Sequence, residues 1–333
     1  MIWLDAARVL SVLAVVFLHV AGSVVVLSDF GSPGWWAGNF YDAMTRWCVP
    51  VLVMVSGALL LDTGKKESIL GFYRKRASRI LLPIAFWSAV YIGWNHRAAI
   101  ADIKMMDVVA SLARGWPHYH LWFLFMIACL YLVVPFMRVL VVGARRGDLW
   151  WLVALAFLFA GINEAYRVFQ GGQAGLFTNW FLSYLPYFLC GYLIRTSPWQ
   201  PPVRWLVAGL AAAVAVTAVG CFLLGRAKGL DKGMYFYGYL SISVIPMSMG
   251  VMLLLKQLAG SSAEEGWLKR IAPLTLGAYL VHPMFLEAIR EFLFKPESQL
   301  PLVSIPLLSV LVFGASLAVA FIFMKLPVLK RTI

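Results

Sequence analysis

The chain has 333 residues, of which 62% are hydrophobic and 13% charged. A soluble domain carries about a quarter charged residues, so this composition excludes an ordinary water-soluble globule and supplies apolar residues for about ten spans of about 20 residues each. The formal net charge of +13 fits basic loops facing anionic lipid headgroups; membrane lipid is the expected partner, and nucleic acid is not.

In chain order, apolar runs predict membrane-spanning helices near 4–27, 47–61, 78–95, 120–142, 149–163, 177–194, 203–224, 236–255, 271–293 and 302–324. All are read as helical because hydrocarbon offers backbone groups no other partner. The first run is longer than a signal-peptide core and is read as a retained span. Pro50, Pro135, Pro186, Pro246 and Pro283 fall inside apolar runs, where membrane helices tolerate kinks that make room for a cavity. Eighteen Lys and Arg residues, among them Lys65 and Lys66, fall on one side of the expected spans, and ten, among them Arg46, Arg167 and Arg290, fall on the other. The basic side is cytoplasmic, which puts both termini inside. The expected fold is an all-α polytopic membrane protein, a single bundle of about ten transmembrane helices, N-in and C-in. It forms one membrane-embedded domain over 1–333 with no soluble accessory domain, since the longest interruptions, 98–118 and 256–270, are loop-sized. Cys48, Cys129, Cys190 and Cys221 show no paired spacing, which argues against a disulfide framework or a zinc site. The segment LLLDTGKKES lacks the glycine spacing and hydroxyl residue of a P-loop.

An ionisable residue inside a span is expensive and is therefore a candidate for function. The first span contains Asp5, Arg8 and His19. Arg8 has two readings, an interfacial anchor that snorkels to headgroups or a ligand contact. His19 lies too deep to snorkel and should face protein or a water-filled cavity, as a catalytic group or as a satisfied interhelical histidine. Eleven steps of about 100° bring His19 to about 20° from Arg8 in azimuth with a rise of about 16.5 Å, so the two share one face. Such a column suits an elongated anionic donor whose phosphates meet the guanidinium while its reactive end reaches inward. Asp5, one turn before Arg8, is placed to orient it. Arg74, Lys75, Arg76 and Arg79, just before the third expected span, are either a positive-inside flank or a clamp for a polyphosphate; Arg76 and Arg79 are neighbours if the helix begins early. Ser56 and Gly57 allow close helix packing. His118, His120 and Trp122 fall at the expected outer interface, where aromatic belts occur and where histidines could meet an acceptor. Tyr279 and His282 lie about one turn apart within a span, His282 as a second catalytic group or a structural one.

In order along the chain, the Arg8 to His19 spacing, VPVLVMVSG after Arg46, RASRILLP, YHLWFL and AYLVHP together resemble the acyltransferase family 3 integral membrane proteins. The resemblance implies a ten-helix acyl-transfer bundle in the bacterial inner membrane that takes an acyl group from cytoplasmic acyl-CoA, commonly acetyl-CoA, to an extracytoplasmic glycan hydroxyl. It implies His19 as the catalytic histidine, Arg8 as its paired arginine, and Arg76 with Arg79 as the arginine pair of the third helix. Some members carry an extra esterase-like domain; its absence here suggests direct delivery to a small or lipid-linked saccharide.

The expected reaction is O-acyl transfer with His19 as general base, a neutral imidazole taking the hydroxyl proton as oxygen attacks the thioester. An acyl-histidine intermediate is the variant. No metal is required, and acetyl-CoA is the donor substrate. Arg46, Ser56 and Trp122 lie near the level of the reacting carbonyl, with His120, Tyr279 and His282 as further contacts to acceptor or transition state. The rival reading, a secondary transporter of a glycan or small anionic solute, calls for paired broken helices and charged relays, which are not evident in the sequence.

Overall fold

The protein is described by a computed structural model over residues 1–62, 64, 67–98, 103–170, 180–258, 266–293, 295–298 and 300–333. Lys65, Lys66, the Arg167 side chain, the opening residues 177–179 of the sixth expected span, and stretches 99–102 and 259–265 of the long interruptions lie outside the described residues. Among the described residues the chain is all helix and turn, with no strand.

Among the described residues, seven helical stretches are long and apolar enough to cross a membrane. The first is α1 (Ile2–Leu27), and the second combines α2 (Pro33–Thr45) with α3 (Cys48–Leu60). After α4 (Ile69–Asn95) and the short surface helix α5 (Met105–Ala113) comes α6 (Trp122–Gly143). The expected spans near 149–163, 177–194 and 236–255 fall on α7 (Arg146–Gln170), α8 (Trp180–Thr196) and α11 (Val244–Leu258), which are not among those seven. The remaining long stretches are α9 (Val203–Lys228), followed by the single turn α10 (Leu230–Gly233), then α12 (Gly266–Ile271) with α13 (Thr275–Phe292), and α14 (Pro301–Lys325).

Two boundaries differ from the hydropathy reading and two of the prolines stand at helix starts, each with a local reason. A second helix, α2, precedes α3: Ser32 caps it by accepting from the Trp35 amide at 3.1 Å, and Pro33 occupies its first position. The basic segment lies inside α4, which begins at Ile69 because Ser68 accepts from the Gly71 amide at 3.1 Å. Pro50 and Pro246 each stand third in their helices, where no amide bond within α3 or α11 is lost. Pro135, Pro186 and Pro283 are interior, as are Pro83 and Pro306.

The bundle is organised around α1, which packs against α2, α3, α13 and α14. Val16, Val20, Ala21 and Val24 of α1 are fully buried, so its apolar surface meets protein on nearly every side. The similarly apolar α14 leaves Leu302, Leu307, Val310, Leu311, Phe321 and Ile322 exposed, the lipid-facing pattern. Helices α3 and α8 touch backbone to backbone at two reciprocal glycines. A Cβ on Gly57 would stand 1.8 Å from the Phe188 carbonyl oxygen, and one on Gly191 would stand 1.9 Å from that of Met54. Small residues permit this approach, and it sets the wall behind α1.

Candidate active site

Two polar regions lie along α1. At its N-terminal end Arg8 is half-buried and pairs with Asp5 at 3.3 Å, the i,i+3 contact expected from spacing. Arg76 of α4 is the inward member of the basic cluster; Arg74, Lys75 and Arg79 are exposed, and Lys75 reaches Glu67 at 3.8 Å. The Arg76 guanidinium lies 5.4 Å from the ring centre of the buried Phe72, and its Nε is buried without a hydrogen-bond partner. Arg138 covers the same ring at 4.9 Å and donates to the Leu60 carbonyl at 2.8 Å. Tyr131 lies within electrostatic reach of Ser56, Arg8 and Arg76. Arg8, Ser56, Arg76 and Arg138 therefore gather on one side of the molecule, and Ser56 belongs there instead of at the His19 level.

The second region begins at His19. Its half-buried ring borders a cavity of about 600 Å³ that runs along Gly22, Ser23 and Val26 of α1 and is closed by Arg46, Tyr119, Tyr239 and Arg290. The cavity thus extends toward the C-terminal end of α1, away from Arg8. On the face that Arg8 and His19 share, the intervening Val12 and Val15 are 3% and 1% exposed. The continuous groove suggested by the spacing is filled there by packed side chains.

Arg46 reaches this wall from the end of α2. It is paired with the fully buried Asp42, donates to the Tyr237 carbonyl at 3.2 Å and stacks 4.3 Å from the Tyr237 ring centre. Asn39, on the same face of α2, donates to the Ala218 carbonyl at 3.0 Å and accepts from the Tyr237 hydroxyl at 2.7 Å. Asn39 and Asp42 are thus on the inward face of α2. Trp122 stands behind the wall, stacked on Tyr239 with ring centres 5.9 Å apart.

Four of the chain's five histidines, His19 among them, gather here. The His282 ring of α13 stacks on His19 at 5.2 Å between centres and meets His120 edge-on at 5.5 Å. His282 Nδ1 lies 2.6 Å from the Tyr279 carbonyl oxygen, which fixes the proton on Nδ1 and leaves Nε2 as a lone pair. The Nδ1 atoms of His118 and His120 are 3.1 Å apart, and His118 Nε2 lies 3.1 Å from Glu287 Oε1. The second Glu287 oxygen accepts from Trp94 Nε1 at 2.7 Å. Tyr91 stacks on His118 at 4.2 Å and donates to the Leu280 carbonyl at 2.7 Å, while the Tyr279 hydroxyl donates to the His120 carbonyl. His118 and His120 are consequently buried, at 6% and 1% exposure. They are not part of an interfacial belt, because the Tyr279 hydroxyl, the Tyr91 ring and the glutamate tie the turn before α6 into the bundle.

Sequence reasoning missed Glu287, Tyr91, Tyr119, Tyr131, Arg138 and Arg290. Glu287 carried a usable signal, an acidic residue inside the apolar run HPMFLEAI. The tyrosines carried none, since aromatics fill every span. Among the described residues no group of three or more His, Cys, Asp and Glu side chains is arranged to hold a metal ion.

Comparison with curated proteins and with solved structures gave no match. Comparison with protein families did: residues 1–325 match the family described as "Acyltransferase domain". With a match over almost the whole chain, and a helical bundle that surrounds a histidine at the edge of a cavity, the chain belongs to acyltransferase family 3 and is a membrane acyltransferase.

Proposed function

We propose that the protein transfers an acetyl group from cytoplasmic acetyl-CoA to a hydroxyl of an extracytoplasmic or lipid-linked glycan, with His19 as general base. In this reading about ten helices cross the bacterial inner membrane with both termini inside. The Arg8 side then faces the cytoplasm and the cavity faces outward. The observation that carries the reading is the position of His19: an imidazole at the inner end of a cavity of about 600 Å³, large enough for a sugar. A neutral imidazole there takes the hydroxyl proton as oxygen attacks the thioester carbonyl. On the opposite side, Arg76 has a buried Nε without a protein partner, and a donor phosphate is a group that would satisfy it. Arg8, Arg74, Lys75 and Arg79 add positive charge around it. Val12 and Val15 fill the line between the two sides, so the pantetheine arm reaches His19 only when the packing around them opens. Arg46, held by Asp42 and Tyr237, is the cation nearest to hand for the developing oxyanion.

The order of motifs is most like that of the O-acetyltransferase that modifies enterobacterial common antigen, which makes that glycan the first acceptor to try. The direct test incubates purified protein in detergent with acetyl-CoA and follows free thiol. Thiol release that increases with added glycan supports the enzyme. A thioester left intact while the protein moves solute in vesicles supports a transporter instead.

A further inference from the structure

We propose that the acceptor carries an anionic group, a carboxylate or a phosphate, and that Arg290 selects it in the outer part of the cavity. The inference deepens the proposed function and rests on the reading of the cavity as the acceptor site. From the contact between the His19 and His282 rings, α1 and α13 run side by side, so that Val26 and Leu27 of α1 and Arg290 of α13 line the same cavity. Arg290 is eight residues past His282 in α13, a rise of about 12 Å. It therefore stands toward the mouth, while His19 stands at the inner end. Tyr119 connects the two, its ring 4.9 Å from that of His19 and within electrostatic reach of the Arg290 guanidinium. An acceptor that offers a hydroxyl to His19 lays its remaining length beside Arg290.

The cavity lining holds two guanidinium groups, those of Arg46 and Arg290, and no carboxylate. The two differ in what is left to donate. Arg46 spends Nε on the buried Asp42 and Nη1 on the Tyr237 carbonyl. Arg290 has one hydrogen-bond partner among the described residues, Glu297, reached through Nη2 at 3.3 Å, which leaves Nε and Nη1 with protons to donate. The nearer carboxylates of α13 are engaged elsewhere, Glu287 with His118 and Trp94, and Glu291 with Arg97. Arg290 is not an anchor reaching out to headgroups: its side chain is 25% exposed and borders the cavity, whereas Phe292 and Leu293 at the same helix end are 71% and 80% exposed. A guanidinium partly removed from water, with N–H groups unmatched, is a ready partner for carboxylate or phosphate oxygens. A neutral sugar leaves that charge to Glu297 alone. An anionic one gains a charge-assisted hydrogen bond, and the difference sets specificity.

The test measures equilibrium binding of glucose, glucuronate, glucose 1-phosphate and glycerol 3-phosphate to the full chain in detergent. The wild type should bind one or both sugar anions about tenfold more tightly than glucose. Glucuronate as the tighter of the two assigns the charge to a sugar carboxylate; glucose 1-phosphate as the tighter assigns it to the phosphate that joins a saccharide to its lipid. Arg290→Gln should remove the preference and Arg290→Lys should keep part of it. Glu297→Gln, which takes away the competing carboxylate, should strengthen it about threefold. That opposite sign separates selection from support of the fold. Arg76→Ala should leave the preference in place, because Arg76 lies on the Arg8 side. Glucose bound as tightly as both sugar anions, or a preference that survives Arg290→Gln or disappears in Arg76→Ala, overturns the proposal. So does glycerol 3-phosphate bound as tightly as the sugar anions, which would make this a site for lipid headgroups. The wild-type comparison decides even if a variant fails to fold. A thioester left intact by a wild type that shows the preference overturns the acetyl-transfer reading, whereas turnover without the preference overturns this inference alone.

Discussion

At the Arg8 end of α1 the cations stand at or near the surface. Arg74, Lys75 and Arg79 are exposed, Arg8 and Arg76 are half-buried, and the Arg76 Nε has no protein partner. About three helical turns along α1 from that end, around His19, imidazoles, tyrosine hydroxyls and one glutamate are sunk among helices with contacts of 2.6 to 3.1 Å, and the cation in their wall, Arg46, is paired with the buried Asp42. The first region has donors to spare and suits an anion that arrives and leaves. The second is held by short contacts to carbonyls and a carboxylate and suits a fixed geometry. In the proposed function the two regions divide donor binding from chemistry along α1, and the one permanent cation described above at the His19 level, Arg46, is offset there by the buried Asp42.

Substitutions sharpen that contrast in decreasing order of effect. His19→Ala should lower kcat by about 10³-fold while donor binding stays within about twofold, measured by thiol release and by acetyl-CoA binding. An equal loss of binding would merge the two regions. Arg76→Ala should raise the acetyl-CoA KM by about 10- to 30-fold with kcat nearly constant, the worth of one charge-assisted hydrogen bond. A fall in kcat alone would move Arg76 to the chemistry. Arg79→Ala, removing an exposed charge, should raise the same KM by only about threefold. Raising ionic strength from low salt to about 0.5 M should raise the donor KM several-fold and leave kcat unmoved, since screening reaches exposed cations and not the buried histidines.

Much of this was legible in the residues. The apolar runs located most of the helices, and the Arg8 to His19 spacing named one residue in each of the two polar regions along α1. Hydropathy did not distinguish α1 from α14, because lipid and protein interior select the same side chains. It also passed over α2, whose Asn39, Asp42 and Arg46 turn inward to Tyr237. His118 and His120 were placed by sequence at an aqueous interface. What draws them inside is Glu287, 167 and more residues later in the chain, and a contact at that separation leaves no local pattern. Val12 and Val15, unremarkable in sequence, are the residues that part the two regions.

The measurement that bears most directly on the account is labelled acetyl-CoA added to membranes containing either the wild type or His19→Ala at equal expression, followed by separation of the glycan and lipid fractions. The account predicts label in a saccharide-bearing fraction from the wild type and none above background from His19→Ala. Equal labelling by both proteins would contradict it and move the base elsewhere, to His282 first.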